Sequence, residues 1–298
     1  MPKISTVLCP TDFSDPSRHA LEHAMAMAKW YDARLVGVHA YAPPFYPVTD
    51  LMTTGVGLPL PDAPTLASLQ DDVLASLEPA RAIGLRTEAR VETGAPAVAI
   101  LAVADALPAD LIVMGTHGAS GFEHLVLGSV TEKVLRRATC PVMTVPPPAR
   151  ATSRLPFAHV VCSIDFSPSS DAALQFALSI AQEAGAHVTL LHVLEWPNDQ
   201  PLSQLKYIAP EYHAYREQDA NLRLSRMIPE EVRNWCTPDV HIAHGKPHEE
   251  ILAFAARQRA DVIVMGVQGR NAVDVMLFGS TTNQVVRRAT CPVLTLRS

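Results

Sequence analysis

The sequence has no long apolar run and no long basic run. No uninterrupted apolar segment approaches the ~20 residues that a membrane helix needs, and the N-terminus lacks the basic segment and apolar core of a signal peptide. The 298 residues carry 24 basic and 30 acidic side chains, for a formal net charge of −6. We therefore expect a soluble, cytoplasmic protein with no membrane partner and no nucleic-acid partner held by phosphate attraction.

Cysteine is also scarce. The five cysteines are an odd number without Cys-x-x-Cys spacing, which supports neither a disulfide framework nor a zinc knuckle. The twelve histidines contain no metal-binding motif. We expect reduced thiols and no metal site built from side chains. The role of Cys236, the one cysteine without a counterpart in the repeat described next, stays open.

The chain contains one sequence unit twice. The chain has a glycine-rich stretch, MGTHGASGFEHLVLGS, that ends at Ser129. A similar stretch, MGVQGRNAVDVMLFGS, lies 151 positions later and ends at Ser280. The same offset relates two identical seven-residue segments, Arg136–Val142 and Arg287–Val293. Near the start of each half, CPTDFS and CSIDFS are 153 positions apart. These matches indicate a duplicated domain, with predicted boundaries at residues 1–148 and 155–298.

Each half alternates β-rich runs with apolar-periodic helical segments. This alternation predicts an α/β fold in which each domain has a five-stranded parallel sheet, in the order 3-2-1-4-5, with helices on both faces. The predicted strands of the first half are Ile4–Cys9, Arg34–Ala40, Thr87–Glu92, Asp110–Met114 and Pro141–Val145, and those of the second half lie near His159, Val188, Val240, Val262 and Val293.

Three serines carry helix-start signals. Ser14 and Ser167 precede the first helix of each half, where a hydroxyl can accept a hydrogen bond from a backbone amide. Ser129 and Glu132 have the spacing of a capping box, although Asn283 replaces the acid in the second half.

The glycines of the loop after strand four suggest a phosphate cradle. Glycine lets backbone amides approach a ligand without an intervening Cβ, and Gly128 and Ser129 open a helix whose first amides have no partner within the helix. Such a helix start attracts anions. The alternative is that the glycines only serve tight turns, and a single motif of this length does not decide between the two readings.

An aspartate follows strand one in each half. In a sheet of this order, the carboxyl ends of strands one and four flank the crevice where ligands bind. Asp12 and Asp165 could therefore accept hydrogen bonds from ribose hydroxyls or an adenine amine. The alternative is a local turn acceptor at the start of the helix.

These motifs together resemble the universal stress protein family, in its ATP-binding, tandem two-domain form. The resemblance rests on Gly-x2-Gly-x9-Gly-Ser after a strand, on Pro-Thr-Asp-Phe-Ser after an early strand and on a closing Cys-Pro-Val strand, and it covers essentially the whole chain. It implies a Rossmann-like domain of the adenine nucleotide alpha hydrolase type, and an ATP site, in each half. The first site would comprise Pro10, Thr11, Asp12 and Ala40 on the base side and Met114, Gly115, His117, Gly118, Gly128, Ser129 and Val130 on the phosphate and ribose side.

The resemblance implies a second site that departs from the family pattern at two places. Gln268 stands where the first half has His117, and Ser163-Ile164 replaces Pro-Thr. Arg270 could reach a phosphate, or could be a solvated loop residue. The second site would comprise Ser163, Ile164, Asp165, Val193, Met265, Gly266, Gln268, Gly269, Arg270, Gly279, Ser280 and Thr281.

Magnesium is a candidate companion of the nucleotide. Glu123 and Asp274 place one carboxylate in each glycine loop and could hold Mg²⁺ through water. The alternative is that both are solvated loop carboxylates.

Three functions remain open from the sequence. The first is an adenine-nucleotide-binding stress or signalling module with at most slow ATP hydrolysis. The second is a weak ATPase or phosphoryl-transfer enzyme, which is disfavoured because the loops lack the Lys-Ser/Thr ending of a P-loop. The third is an assembly scaffold that has lost its nucleotide, which the glycine spacing in both halves disfavours.

Strand five leads us to expect assembly. As the edge of its sheet, it would expose unpaired backbone groups unless another strand covered it. We expect the two halves to pair through these strands as an intrachain pseudo-dimer, the arrangement that the family resemblance also implies, and whole chains to form a homodimer. Light scattering on the purified protein should then give the molar mass of two chains, whereas the mass of one chain would contradict the homodimer.

Overall fold

The structure is a computed structural model that describes residues 4–42, 63–118, 127–149, 157–195, 210–236, 238–268 and 278–297. The chain divides into two compact units, the first containing Lys3–Pro147 and the second Arg154–Ser298. Among the described helices, none combines the length and the apolar character needed to cross a bilayer.

The first unit has five parallel strands in the order β3-β2-β1-β4-β5, which confirms the predicted order. Helices cover both faces of the sheet. Its elements are β1 (Thr6–Pro10), α1 (Asp15–Trp30), β2 (Arg34–Tyr41), α2 (Ala63–Ser76), α3 (Glu78–Ala82), β3 (Thr87–Thr93), α4 (Pro96–Ala106), β4 (Leu111–Gly115), α5 (Ser129–Arg137) and β5 (Val142–Val145).

The second unit repeats this plan, with the parallel order β8-β7-β6-β9-β10. A short 3₁₀ helix at Glu230–Asn234 precedes its third strand. Its other elements are β6 (His159–Ser163), α6 (Pro168–Ala184), β7 (His187–Leu194), α7 (Pro210–Met227), β8 (Asp239–His244), α8 (Pro247–Gln258), β9 (Val262–Gly266), α9 (Ser280–Arg288) and β10 (Val293–Leu296).

The central strands form the core of each unit. All five residues of β1 and all five of β4 are buried, as expected for parallel strands that helices cover on both faces. Val7 pairs with Leu111, and Leu8 pairs with Ile112. This register brings the carboxyl ends of β1 and β4 to the same edge of the sheet.

Two of the three helix-start predictions are confirmed. The side chain of Ser14 accepts a hydrogen bond from the amide of Ser17, and that of Ser167 accepts one from the amide of Ser170. The predicted capping box at Ser129 is wrong. Gly128 is the N-cap and Ser129 is the first helical residue, so the Ser129 hydroxyl does not cap the helix.

The five cysteines are free thiols. Burial raises the pKa of Cys9 and of Cys291 to about 12, and that of Cys140 to about 11. Cys236, whose role the sequence left open, is buried and donates a hydrogen bond from its Sγ to the carbonyl of Ala186 at 3.2 Å. The buried thiols of Cys9, Cys162 and Cys236 act as small apolar residues of the packed interior.

The N-cap at Ser14 can be tested through Trp30, the last residue of α1, in a background where Trp196 and Trp235 are phenylalanine. In a urea titration followed by Trp30 fluorescence, Ser14→Ala should lower the free energy of unfolding by about 1 kcal/mol, because one helix amide loses its acceptor. Ser14→Asn keeps an acceptor and should stay close to wild type. An equal loss in both variants would contradict a capping role.

Candidate functional site

An open cleft lies at the carboxyl end of the second unit's sheet, between the ends of β6, β7 and β9 and the starts of α8 and α9. Its volume is about 640 Å³, which lies within the ~300 to 1,000 Å³ of small-molecule sites. The residues that line it are Ser163, Ile164, Asp165, Ser170, His192, Val193, Glu195, Pro247, Ile251, Met265, Gly266, Gln268, Phe278, Gly279, Ser280, Thr281 and Thr282.

The cleft gathers the residues that the sequence predicted for the second site. Gly269 and Arg270 lie outside the described residues, and so do Glu123 and Asp274, the candidate magnesium ligands. Every other predicted member lines the cleft, although nucleotide binding by these residues stays a prediction: Ser163, Ile164, Asp165, Val193, Met265, Gly266, Gln268, Gly279, Ser280 and Thr281.

Sequence reasoning missed several lining residues that the repeat could have revealed. Ser170 and His192 lie 153 positions after Ser17 and His39, and Thr282 lies 151 positions after Thr131. The others are Glu195, Pro247, Ile251 and Phe278.

The first unit places its predicted residues on the same elements. An aspartate and a glycine meet across the crevice between β1 and β4: a Cβ built on Gly118 would lie 2.7 Å from Oδ2 of Asp12. The remaining members lie at or just beyond strand ends, or at the start of α5: Pro10 ends β1, Met114 and Gly115 end β4, Ala40 lies near the end of β2, Thr11 and His117 follow their strands, and Gly128, Ser129 and Val130 start α5.

The two aspartates make the same local turn. Oδ1 of Asp12 accepts hydrogen bonds from the amide of Ser14 at 3.1 Å and from its hydroxyl at 2.5 Å. Oδ1 of Asp165 accepts the same pair from Ser167, at 3.0 and 2.6 Å. Asp12 and Asp165 therefore both act as turn acceptors, and each uses its Oδ1 for this purpose. The other oxygen of Asp12 is the one directed at Gly118.

A phenylalanine and a histidine hold each aspartate turn. Phe13 and Phe166 have positive φ values of 62° and 64°, a conformation that is rare and strained for a bulky residue. Each ring packs on a histidine of the second strand, with centroids 4.7 Å apart for Phe13 and His39 and 4.6 Å apart for Phe166 and His192. Aromatic packing of this kind offsets part of the backbone strain.

The histidines also bind the residue that precedes each aspartate. Nδ1 of His39 lies 2.9 Å from the carbonyl oxygen of Thr11, and Nδ1 of His192 lies 2.7 Å from that of Ile164. A carbonyl oxygen only accepts, so Nδ1 carries the proton in both rings. The hydrogen bond is the same in both units, although Thr11 corresponds to Ile164, because its acceptor is a backbone carbonyl.

The first glycine of each loop has a packing role. A Cβ on Gly115 would lie 3.0 Å from the carbonyl oxygen of Pro16, and a Cβ on Gly266 would lie 2.4 Å from Oγ of Ser169. Both glycines let the end of the fourth strand touch the first turn of the unit's first helix. The structural interpretation that the sequence left open therefore holds for this pair.

The base of each glycine loop is closed by two repeated hydrogen bonds. Gly128 donates its amide to the carbonyl of Thr116 at 2.9 Å, and Gly279 donates to that of Val267 at 3.0 Å. In the following turn, the hydroxyl of Thr131 donates to the carbonyl of Gly115, and that of Thr282 donates to that of Gly266, both at 2.9 Å. These bonds fix the start of α5 or α9 beside the end of the fourth strand.

The lining of the second cleft combines groups of opposite polarity. The helix α9 begins after Gly279, which has no side chain to cap the amides of the first turn. These amides and the helix dipole attract anions. The lining also carries the carboxylates of Asp165 and Glu195, which accept hydrogen bonds from hydroxyl or amino groups. Among the described residues, no cluster of three or more histidine, cysteine or acidic side chains could hold a metal ion.

Comparison with known proteins agrees with the duplicated architecture. Residues 3–146 and 156–297 each match the Universal stress protein family. The chain therefore belongs to this family, in a tandem form.

Individual relatives cover either one unit or both. A universal stress protein of Methanocaldococcus jannaschii is 35% identical over 150 residues, which are 48% of this chain and 83% of the relative. One from Mycolicibacterium smegmatis is 28% identical over 300 residues, or 98% of this chain and 96% of the relative. The crystal structure of a universal stress protein from Archaeoglobus fulgidus DSM 4304 aligns with a TM-score of 0.68 and 25% identity, covering 99% of this chain and 97% of that one.

The contact between Gly118 and Asp12 can be measured by a double-mutant cycle. Gly118→Ala alone should destabilise the first unit, because the new methyl group would lie 2.7 Å from the carboxylate. In an Asp12→Ala background the same change should cost about 1 kcal/mol less, since the obstacle is gone. Urea titrations of the four proteins, followed by Trp30 fluorescence in the background described above, give the coupling energy. If the two substitutions changed the free energy of unfolding by strictly additive amounts, the result would contradict the contact between Gly118 and Asp12.

Proposed function

We propose that this chain is an ATP-binding universal stress protein with one adenine-nucleotide site in each unit. One observation carries the proposal: a single cleft is lined both by the uncapped start of α9 and by the carboxylate-bearing residue Asp165. A nucleotide has the matching pair of properties, an anionic phosphate chain at one end and hydroxyl and amino donors at the other.

The phosphate end fits a helix N-terminus. The amides of Ser280, Thr281 and Thr282 belong to the first turn of α9, and all three residues line the cleft. Helix starts of this kind hold phosphate through backbone amides and the helix dipole. The hydroxyls of Ser280 and Thr281 add two side-chain donors. Ser129 and Val130 would serve the first unit in the same way.

The nucleoside end fits a mixed apolar and acidic wall. Ile164, Val193 and Ile251 line the cleft and offer apolar surface to a flat base. Asp165 keeps Oδ1 on Ser167, and its second oxygen can accept from a ribose hydroxyl or an adenine amine. Asp12 and Ala40 would do the same in the first unit.

Magnesium would enter the sites bound to the nucleotide. Mg²⁺ prefers phosphate oxygens, water and one or two carboxylates to a cage made only of protein ligands. Its neutralising charge would matter at the second cleft, where the described charged residues, Asp165 and Glu195, are acidic. Water-mediated support from Glu123 and Asp274 remains part of this proposal.

The described lining of the second cleft favours binding over turnover. A phosphoryl-transfer site needs a cation on the β and γ phosphates and a base for the nucleophile. The described lining contains no lysine or arginine. His192 is buried and commits Nδ1 to the carbonyl of Ile164. We therefore propose at most slow hydrolysis, with nucleotide occupancy selecting the conformation or the partner of a stress-response or signalling module.

The bound nucleotide can be identified directly. The purified protein is extracted with acid, and any released nucleotide is identified by mass spectrometry. Recovered ATP supports the binding module. ADP alone, together with steady phosphate release from added Mg-ATP, would replace it with an enzyme. An empty extract from a protein that also fails to bind added Mg-ATP would leave the assembly scaffold.

The helix-start amides can be tested by proline substitution at the first helical position. Proline is well tolerated there, and the extended φ and ψ of Gly128 and Gly279 suit a residue that precedes proline. Ser129→Pro removes one amide donor at the first site, and Ser280→Pro removes one at the second. In isothermal titration with Mg-ATP, wild type should bind about two nucleotides per chain and each variant about one, since charge-assisted bonds to phosphate are strong.

Alanine variants provide the matched control. Ser129→Ala and Ser280→Ala keep the amide and lose only the hydroxyl, so their affinities should fall far less than those of the proline variants. Full binding by the double proline variant, with circular dichroism unchanged, would refute the proposed phosphate site.

A further inference from the structure

The two clefts differ at the second residue of the helix that follows the aspartate turn. Ser169 holds this position in α6, and Pro16 holds it in α1, 153 positions earlier. The Ser169 hydroxyl donates to the carbonyl oxygen of Gln268 at 2.5 Å. Gln268 is a lining residue of the second cleft, two positions beyond the end of β9.

The distances in this cluster assign the proton of each serine hydroxyl. The Ser167 hydroxyl lies 2.6 Å from Oδ1 of Asp165 and 3.2 Å from the carbonyl oxygen of Gln268. Each hydroxyl has a single proton, and the shorter contact assigns that of Ser167 to the carboxylate. Ser169 is then the hydroxyl that donates to Gln268. The two hydroxyl oxygens are 3.1 Å apart, but neither has a proton left for the other, so the link to Gln268 is the single bond from Ser169.

The surroundings hold the Ser169 side chain in place. Ser169 is 2% exposed, and its Oγ occupies the space beside Gly266, where a Cβ would approach it to 2.4 Å. A hydrogen bond in such a buried place is less weakened by water than one at the surface. Glycine at position 266 therefore makes room for this hydroxyl.

The first unit cannot make the same connection. The Ser14 hydroxyl donates to Asp12, as Ser167 does to Asp165, but proline at position 16 has no side-chain donor. Among the described residues, a hydroxyl at the second helical position that donates to the start of the glycine loop is therefore found only in the second unit.

We propose that Ser169 is a positioning residue that fixes the start of the second glycine loop and makes the second cleft the tighter of the two nucleotide sites. This inference rests on the proposed function. Gln268 lines the cleft, and a lining residue that is already held loses less conformational freedom when a ligand binds, so more of the contact energy appears as affinity. Ser169 acts through Gln268 and does not itself touch the nucleotide.

Reciprocal substitutions test the inference. Ser169→Ala removes the bond from the second unit, and Pro16→Ser offers the first unit the missing hydroxyl. Ser179→Ala is the matched control, because Ser179 is a buried serine of the same helix with no role in the cleft. The second site is measured in the Ser129→Pro background and the first in the Ser280→Pro background, both by isothermal titration with Mg-ATP.

Affinity is the first readout. Before substitution, the second site should bind more tightly than the first. Ser169→Ala should raise the Kd of the second site about fivefold to tenfold, the range expected for one buried hydrogen bond. Pro16→Ser should lower the Kd of the first site about twofold to fivefold. A second-site Kd that Ser169→Ala leaves unchanged would overturn the inference, as would a looser second site before substitution.

Amide hydrogen exchange is the second readout and needs no nucleotide. Ser169→Ala should speed exchange in the peptide that contains Val267 and Gln268, whereas Ser179→Ala should not. If neither cleft bound nucleotide, the proposed function would fail, and exchange alone would decide whether Ser169 fixes the loop. Equal exchange in wild type and Ser169→Ala would overturn the positioning role whatever the affinities.

Discussion

Parallel pairing of the first and fourth strands is the constraint on which each unit depends. Because β1 and β4 run in the same direction and in register, the residues that leave their carboxyl ends must meet at one edge of the sheet. The aspartate turn and the glycine loop are far apart in sequence, yet this pairing places Oδ2 of Asp12 beside Gly118. The same pairing of β6 with β9 forms the wall of the second cleft.

The glycines of the motif have different structural roles. Gly115 and Gly266 serve the packing of a strand end against a helix, and Gly118 makes room for a carboxylate. Gly128 and Gly279 leave a helix start without a side-chain cap. The fold therefore sets part of the spacing of this motif, and the proposed phosphate site would account for the glycine at the start of the helix.

The sequence predicted the fold well because its signals were local and occurred twice. The strand order and the capping by Ser14 and Ser167 followed from periodicity, helix-start chemistry and the repeat. The capping box at Ser129 failed because Gly128 already occupies the N-cap position, and a spacing rule cannot choose between adjacent residues. The repeat of His39 at His192 was a signal that went unused, whereas Glu195 corresponds to Ala42, so the repeat gave no signal for it. The hydrogen bond from Ser169 to Gln268 joins residues 99 positions apart, and no pattern in a single sequence predicts it.

The buried cysteines limit what this protein could sense. Cys9 is 1% exposed and burial raises its pKa to about 12, so at neutral pH it stays in the thiol form and carries little of the thiolate that oxidants attack. Peroxide would therefore react poorly with the Cys9 thiol of the folded domain. Oxidation of Cys9 would require the domain to unfold first. It would therefore be a consequence of damage and not a regulatory signal.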